Sequence, residues 1–248
     1  MNNQIEVRVK RQDDFNAVPY WETFRVDYRP NMNVITVLQE IQRNPVNVQG
    51  EEVSPVVWEC SCLEEVCGSC TMVINGKVTQ SCSALVDKYE QPIVLEPMTK
   101  FPVVRDLLVD RQRMFESLKR VHAWVDIDGT HDLGPGPKQA PKEQQELYAF
   151  ARCMSCGCCV DACPQYTKDN SFIGPAAIAQ AHYFNHNKSG AFNKEERLRA
   201  LMGEGGIHEC GNAQNCVRVC PKDIPITKAI AELNGDTMKQ AIKDLFKV

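Results

Sequence analysis

The sequence predicts an α+β chain of two domains, a small strand-rich unit followed by an all-helical one. Three observations point there. Alternating apolar and charged residues mark the first hundred positions, and helical periodicity marks the last hundred. All thirteen cysteines fall in three short windows, 60–82, 153–163 and 210–220.

In the first part, QIEVRVK (4–10) and WETFRVDY (21–28) read as half-buried strands, joined by a connection over 13–19. The stretch VITVLQEIQR (34–43) predicts a short amphipathic helix, with Val34, Val37, Leu38 and Ile41 on one face. Two short strands, TMVI and KVTQS, flank Asn75-Gly76, the dipeptide favoured in a type I′ hairpin turn. A last strand, PIVLEP, closes a β-grasp-like unit over 1–105. Residues 103–120 predict a helix, and DGTHDLGPGPKQAPK after it predicts a Gly/Pro-rich linker, so 106–141 is read as the connection. Its Gly134-Pro135-Gly136 follows no strand and completes no dinucleotide-binding fingerprint. The helical domain spans 142–248: KEQQELYAFARC, PAAIAQAHYFNHN, NKEERLRALMG, ITKAIAELN and TMKQAIKDLFK each read as a separate helix.

The 248 residues are 43% hydrophobic and 24% charged, the composition of a globular protein. A net charge of -4 argues against a nucleic-acid surface and leaves a protein or membrane-protein partner open. No apolar run approaches the roughly 20 residues a spanning helix needs. The first fifteen residues lack the apolar core of a secretion signal. A cytoplasmic chain is expected, reaching a membrane only through a partner. In a reducing compartment, clustered cysteines point to metal or redox centres rather than disulfides.

The first window reads Cys62-x4-Cys67-x2-Cys70-x11-Cys82, the spacing of a plant-type [2Fe–2S] loop completed by a distant fourth thiolate. Gly68 and Ser69 let the backbone wrap a cluster and aim N–H groups at its sulfurs. A four-cysteine zinc site is the rival, but it commonly shows two C-x2-C knuckles, and only one such pair exists here. Cys60 is surplus and is expected to be a free buried thiol. The second window, Cys153-x2-Cys156-x2-Cys159-x3-Cys163-Pro164, is the full bacterial ferredoxin run, whose fourth cysteine ligates the other cluster of a pair. Cys158 is out of register and is expected to be a packed thiol.

The third window, Cys210-x5-Cys216-x3-Cys220-Pro221, is the same run with Ala213 where the second has Cys156. Counting ligands across the exchanged fourth positions gives two sets. Cys153, Cys156, Cys159 and Cys220 suit a [4Fe–4S] cluster. Cys163, Cys210 and Cys216 suit a [3Fe–4S] cluster, because a cubane corner without a protein ligand readily lacks its iron. A [4Fe–4S] cluster with a non-cysteine fourth ligand is the rival for this set.

SCLEEVCGSC, the INGK hairpin, FPVVRDL and CGNAQNCVRVCP together resemble the iron–sulfur subunit of succinate dehydrogenase and fumarate reductase, over nearly the whole chain. The resemblance implies a plant-type [2Fe–2S] ferredoxin domain, then a bacterial-ferredoxin-like helical domain. It implies a flavoprotein partner with covalent FAD, a quinone-binding membrane anchor, and a linear electron path through [2Fe–2S], [4Fe–4S] and [3Fe–4S] clusters. WECSCLEEVCGSC and DGTHDLGPGP are similar to the Gram-positive branch. That branch implies a diheme cytochrome b anchor, with heme and FAD held only by partners, menaquinone as acceptor, and a peripheral place on the cytoplasmic face of the membrane. In another branch, tryptophans after the Cys-Pro and a histidine after the first cysteine of the third window help bind quinone. Thr167, Lys168 and Gly211 stand in those regions here, so no quinone residues carry over.

The remaining candidates are weak. His182 and His186 share a helix face, but no third metal ligand is evident in the sequence, and an exposed or packed pair is expected. His208 is read as a histidine near the third window or at the surface, and Glu64 and Glu65 as either a solvated loop tip or a dock for a basic partner face. No catalytic triad, paired-carboxylate site or phosphate loop can be assembled, so no substrate-converting site is expected in this chain. Three readings remain distinct: a succinate dehydrogenase subunit (or fumarate reductase, running in reverse), a zinc-binding or cluster-sensing module, and the same wiring serving another dehydrogenase.

Overall fold

A computed structural model of the protein describes residues 4–126 and 137–246. Packing divides the chain into two compact units, one of residues 1–111 with 154–161, the other of 112–153 with 162–248. The division read from sequence differs in two respects. Residues 106–111, read as part of the connection, belong to the strand-rich unit, and the rest of the connection belongs to the helical one. Residues 154–161, which carry Cys156, Cys158 and Cys159, pack with the strand-rich unit although they follow the linker. Gly134-Pro135-Gly136 lies outside the described residues.

In the first unit, β1 (Gln4–Arg11) and β2 (Tyr20–Asp27) form an antiparallel pair. Helix α1 (Val34–Arg43) follows, then the hairpin β3 (Thr71–Ile74) and β4 (Lys77–Gln80), then β5 (Ile93–Glu96). Sheet order is β2-β1-β5-β3-β4, with β1 parallel to β5 and the other pairs antiparallel. The alternation of β1 does what its pattern requires. Ile5, Val7 and Val9 are buried against Val34, Val37, Leu38 and Ile41 of α1. Asn75 and Gly76 both take positive φ (46° and 76°), as a type I′ turn demands.

Residues 103–109 depart from the helix expected there. They form a small antiparallel pair, β6 (Val103–Arg105) and β7 (Leu108–Val109), and helix α2 starts only at Gln112, running Gln112–Arg120. Tertiary hydrogen bonding overrides the local helical pattern. Asp106 sits at φ 48° with its side chain fully buried. Its carboxylate accepts from Arg11 Nε (2.8 Å), Gln12 N (3.1 Å) and Val57 N (2.9 Å). Arg11 is equally buried and also pairs with Glu22 and donates to Ser54 O. A helix through 106 would tear this network open.

The second unit contains no strand among its described residues. Its main helices are α3 (Pro141–Ala151), α5 (Gly174–His186), α6 (Lys194–Met202) and α8 (Ile226–Phe246). Single turns of helix, α4 (Cys158–Asp161, in the first unit) and α7 (Asn215–Arg218), follow cysteine loops. The two C-terminal helices expected from sequence are one. Asn234-Gly235 reads as a break, but Leu233, Thr237 and Gln240 continue the buried face across it. Thr237 Oγ1 donates to Asn234 O, and Gly235 points into open space. No helix among the described residues is long and apolar enough to cross a membrane.

The Arg11–Asp106 pair yields a test of this architecture. Asp106→Ala leaves a buried guanidinium without its main partner and is expected to cost about 3–5 kcal/mol in guanidinium denaturation followed by tryptophan fluorescence. The double variant Arg11→Met/Asp106→Leu removes both charges and is expected to recover most of that loss.

Candidate iron–sulfur sites

Cys62, Cys67 and Cys70 lie on the loop that leads into β3, Cys82 follows β4, and the four associate as two pairs. Cys67 receives the backbone N–H of Cys62, and the two side chains also hydrogen-bond; the Ser69 hydroxyl adds a further bond. Together these draw the Cys67 thiol down to about 6, so the thiolate is the neutral-pH form. Cys62 Sγ accepts from Glu64 N and Val66 N, both at 3.4 Å. In the second pair, burial pushes Cys70 up to about 12, and the side-chain hydrogen bond to Cys82 adds to the rise. Two pairs of thiols suit two irons, each needing two terminal thiolates beside its bridging sulfides. A bound cluster's positive charge would reverse the protonation of the Cys70 pair.

Several neighbours of this loop carry no mark in the sequence. Asn33 caps α1 by accepting from Thr36 N (2.9 Å), and its amide donates to Cys82 O at 2.9 Å, which ties the fourth cysteine to the helix start. Gln80 donates to Thr71 Oγ1 (2.6 Å), and Thr71 Oγ1 donates to Gly68 O (2.8 Å). Cys60, expected to be buried, is exposed. Its thiol is pushed up by the burial it does have, and then by Cys67, Cys82 and Cys62, which places it beside the set.

Gly68 is where the first window meets the segment 154–161. It adopts φ 76°, and a Cβ there would lie 2.7 Å from Cys156 Cα. Arg111 spans the same contact: Nη1 donates to Gly68 O (2.7 Å) and Cys156 O (3.5 Å), and Nη2 to Ser69 O. Its charge, after the hydrogen bonds from Cys158, helps lower Cys156 to about 7. Cys158 is fully buried as expected, accepts from Gln80 Nε2 (3.5 Å), and is raised by its side-chain bond to Cys156 and by burial. Asp161 closes the segment by accepting from Lys100 N at 2.9 Å. Cys159 lies in this unit too, while Cys153 and Cys220 belong to the second.

In the second unit, Cys163, Cys210 and Cys216 line one pocket of about 400 Å³, counting its open mouth, and Ala213 is in its wall. Burial, followed by the charges of Cys163 and Cys210, pushes Cys216 up to about 11. The loop between Cys210 and Cys216 is bent by left-handed residues at Asn212 (φ 52°) and Gln214 (φ 61°). Asn215 Nδ2 anchors it by donating to Ala162 O at 3.1 Å, one residue before Cys163. Three thiols converge on one space, and the side chain nearest to a fourth position in the sequence run is a methyl group. Pro175 and Ile178 of α5 and Thr227 and Ile230 of α8 complete the wall.

A strand-rich unit and a helical unit, with thiols gathered as Cys62, Cys67, Cys70 and Cys82 in the one and as Cys163, Cys210 and Cys216 in the other, define an iron–sulfur protein of the two-domain ferredoxin class. Residues 6–116 match the family model for a 2Fe-2S iron-sulfur cluster binding domain, and residues 149–224 match that for a 4Fe-4S dicluster domain. The chain is 56% identical over 248 residues to the succinate dehydrogenase iron-sulfur subunit of Bacillus subtilis, covering 99% of this chain and 98% of that one. It is 30% identical over 240 residues to the fumarate reductase iron-sulfur subunit of Escherichia coli, covering 96% and 94%. A chain of the Mycobacterium smegmatis Sdh1 complex in the apo form shares the fold, with a TM-score of 0.76 at 21% identity over 97% of this chain and 98% of that chain. The protein belongs to the family of succinate dehydrogenase and fumarate reductase iron–sulfur subunits.

The Gly68–Arg111 contact is directly testable. Gly68→Ala meets backbone at 2.7 Å and pays about 1–2 kcal/mol for its left-handed conformation alone. Spin quantitation of the reduced protein is expected to show most of the [2Fe–2S] signal lost. Arg111→Gln strands carbonyls at about 1–3 kcal/mol each and is expected to lower the thermal midpoint together with [2Fe–2S] occupancy.

Proposed function

We propose that this chain is the electron-transfer subunit of a succinate dehydrogenase, linking the FAD of a flavoprotein subunit to a quinone at a membrane anchor. When bound, the clusters supply one-electron transfer in the order [2Fe–2S], [4Fe–4S], [3Fe–4S]. Cys62, Cys67, Cys70 and Cys82 would hold the first, Cys153, Cys156, Cys159 and Cys220 the second, and Cys163, Cys210 and Cys216 the third. The observation that carries the reading is the pocket shared by Cys163, Cys210 and Cys216 with Ala213 in its wall. Three thiolates and a methyl group favour a three-iron centre over a complete cubane. Full-length similarity to a succinate dehydrogenase subunit, at nearly twice the identity to a fumarate reductase subunit, favours succinate oxidation as the working direction.

The protein's own groups act on the clusters through donors and charge. The N–H groups of Glu64 and Val66 at Cys62 Sγ, and of Ile224 at Cys220 Sγ (3.5 Å), offset thiolate charge and raise the tendency to accept an electron. A peripheral position on the cytoplasmic face, a diheme cytochrome b anchor and menaquinone as acceptor complete the proposal, on the resemblance to the Gram-positive branch.

Two measurements test it. Anaerobically purified protein is expected to be brown and to co-purify with a flavoprotein active on succinate. A colourless, zinc-loaded chain would instead support the zinc module, and co-purification with a flavoprotein active on another substrate would support the third reading. Ala213→Cys supplies the missing thiolate. It is expected to convert the three-iron EPR signal of the oxidised protein into a [4Fe–4S] signal on reduction, lower the potential and slow quinone reduction. Retention of the three-iron signal with normal quinone reduction would place the empty corner elsewhere.

A further inference from the structure

We propose that His182, His186 and Glu232 form a site for a transition-metal dication, with zinc the best fit, that clips helix α5 to helix α8. The site is separate from the cysteine windows and stands whether or not the proposed function holds. Sequence offers only the two histidines, one turn apart on α5. The third ligand comes from α8, and nothing in its local sequence announces it. In the structure the three donor atoms all lie within 4.8 Å of one another. Among the described residues this is the group of histidine, cysteine and acidic side chains close enough to share a single ion.

Without an ion the site is closed by a hydrogen bond, and a small withdrawal of one side chain opens it to metal. His182 Nε2 lies 2.6 Å from Glu232 Oε2, and the two imidazole rings have centroids 4.2 Å apart. Zinc–nitrogen and zinc–oxygen bonds of about 2.0–2.2 Å would separate the same atoms by roughly 3.3 Å in a tetrahedral site. Glu232 is 42% exposed, and its side chain can withdraw by that small amount. His186 Nδ1 lies 2.9 Å from His182 O. Donation of the Nδ1 proton to that carbonyl fixes the tautomer and leaves Nε2 with the lone pair that a metal needs. His182 is buried, so its ring is held in place by packing.

The surroundings carry the charge a dication requires. The cleft around the site is lined by Glu143 and Glu146 of α3, Lys188, Lys228 and Glu232, three carboxylates against two ammonium groups. Each lysine has a carboxylate of its own: Lys188 lies 3.4 Å from Glu143, and Lys228 lies 3.5 Å from Glu146 and 3.9 Å from Glu232. Glu232 therefore keeps an oxygen free of close lysine contact. Two imidazoles and one carboxylate, open to solvent on one side, match a zinc site with water in the fourth position. The same ligands also suit nickel or copper, and zinc is favoured by its tolerance of a tetrahedral arrangement.

The position gives the clip a structural consequence. His182 is one turn beyond Ile178 on α5, and Glu232 is two residues beyond Ile230 on α8, and both isoleucines wall the three-cysteine pocket. An ion joining these helices would fix the spacing of that wall.

The test uses the cluster-loaded protein, treated with a chelator to strip adventitious metal and then titrated with zinc against a chromophoric competitor. Wild-type protein is expected to bind one zinc beyond its cluster iron, and zinc is expected to raise its thermal midpoint by mass action. His186→Ala and Glu232→Gln are each expected to weaken zinc binding at least 10-fold and to abolish the thermal shift, with iron, sulfide and EPR signals unchanged. Failure of the wild type to take up zinc at micromolar free metal would overturn the proposal. Equal uptake by wild type and both variants, which would place the ion elsewhere, would overturn it equally.

Discussion

The close approach of Gly68 to Cys156 is the constraint on which the rest of the cluster architecture depends. A Cβ at position 68 would sit 2.7 Å from Cys156 Cα, so two cysteine loops meet backbone to backbone with nothing between them. Arg111 makes this contact durable by giving its N–H groups to carbonyls on both loops. Backbone carbonyls in a crowded turn have few other partners, and a planar guanidinium with several fixed donors satisfies them together. The electrostatics follow from the same arrangement. Hydrogen bonds to Cys158, with help from the Arg111 charge, lower Cys156, and hydrogen bonds within the loop lower Cys67.

The placement of residues 154–161 explains why the chain cannot be cut cleanly at its linker. This segment contributes Cys156, Cys158, Cys159 and the buried carboxylate of Asp161 to the strand-rich unit, although it lies after the linker in sequence. The buried Arg11–Asp106 pair has a parallel role in the same unit. It forces 103–109 out of the helix their pattern suggests, and so delivers Arg111 to the loops from β7 rather than from a helix face. Charge burial of this kind specifies a conformation more than it stabilises one, since an apolar replacement of the pair would hold the same space.

In the helical unit, α5 and α8 serve two sets of residues. Pro175, Ile178, Thr227 and Ile230 wall the pocket of Cys163, Cys210 and Cys216, while His182, His186 and Glu232 lie further along the same pair. A helix pair is suited to this double use, because residues one turn apart stay in fixed register over its length.

The sequence by itself determined the spacing of the thiols. Cysteine spacing is set by how a short loop wraps a cluster, which is local geometry, so the three windows, the missing thiol at Ala213 and the plan of strands then helices were all legible. The full burial of Cys158 was legible too, from its being out of register. Tertiary structure decided whatever depended on partners distant in the chain. Asp106 reads as one more polar residue of a helix until Arg11, 95 positions away, is seen beside it. Gly235 reads as a helix break until the buried face on either side is seen to continue. Cys60 was expected inside and is exposed. Arg111, Glu232 and the bond from Asn33 to Cys82 left no trace in any motif, because each joins groups brought near only by folding. Spacing records the bonds a chain makes with its neighbours in sequence; burial and long-range hydrogen bonds are settled when distant segments compete for the same space.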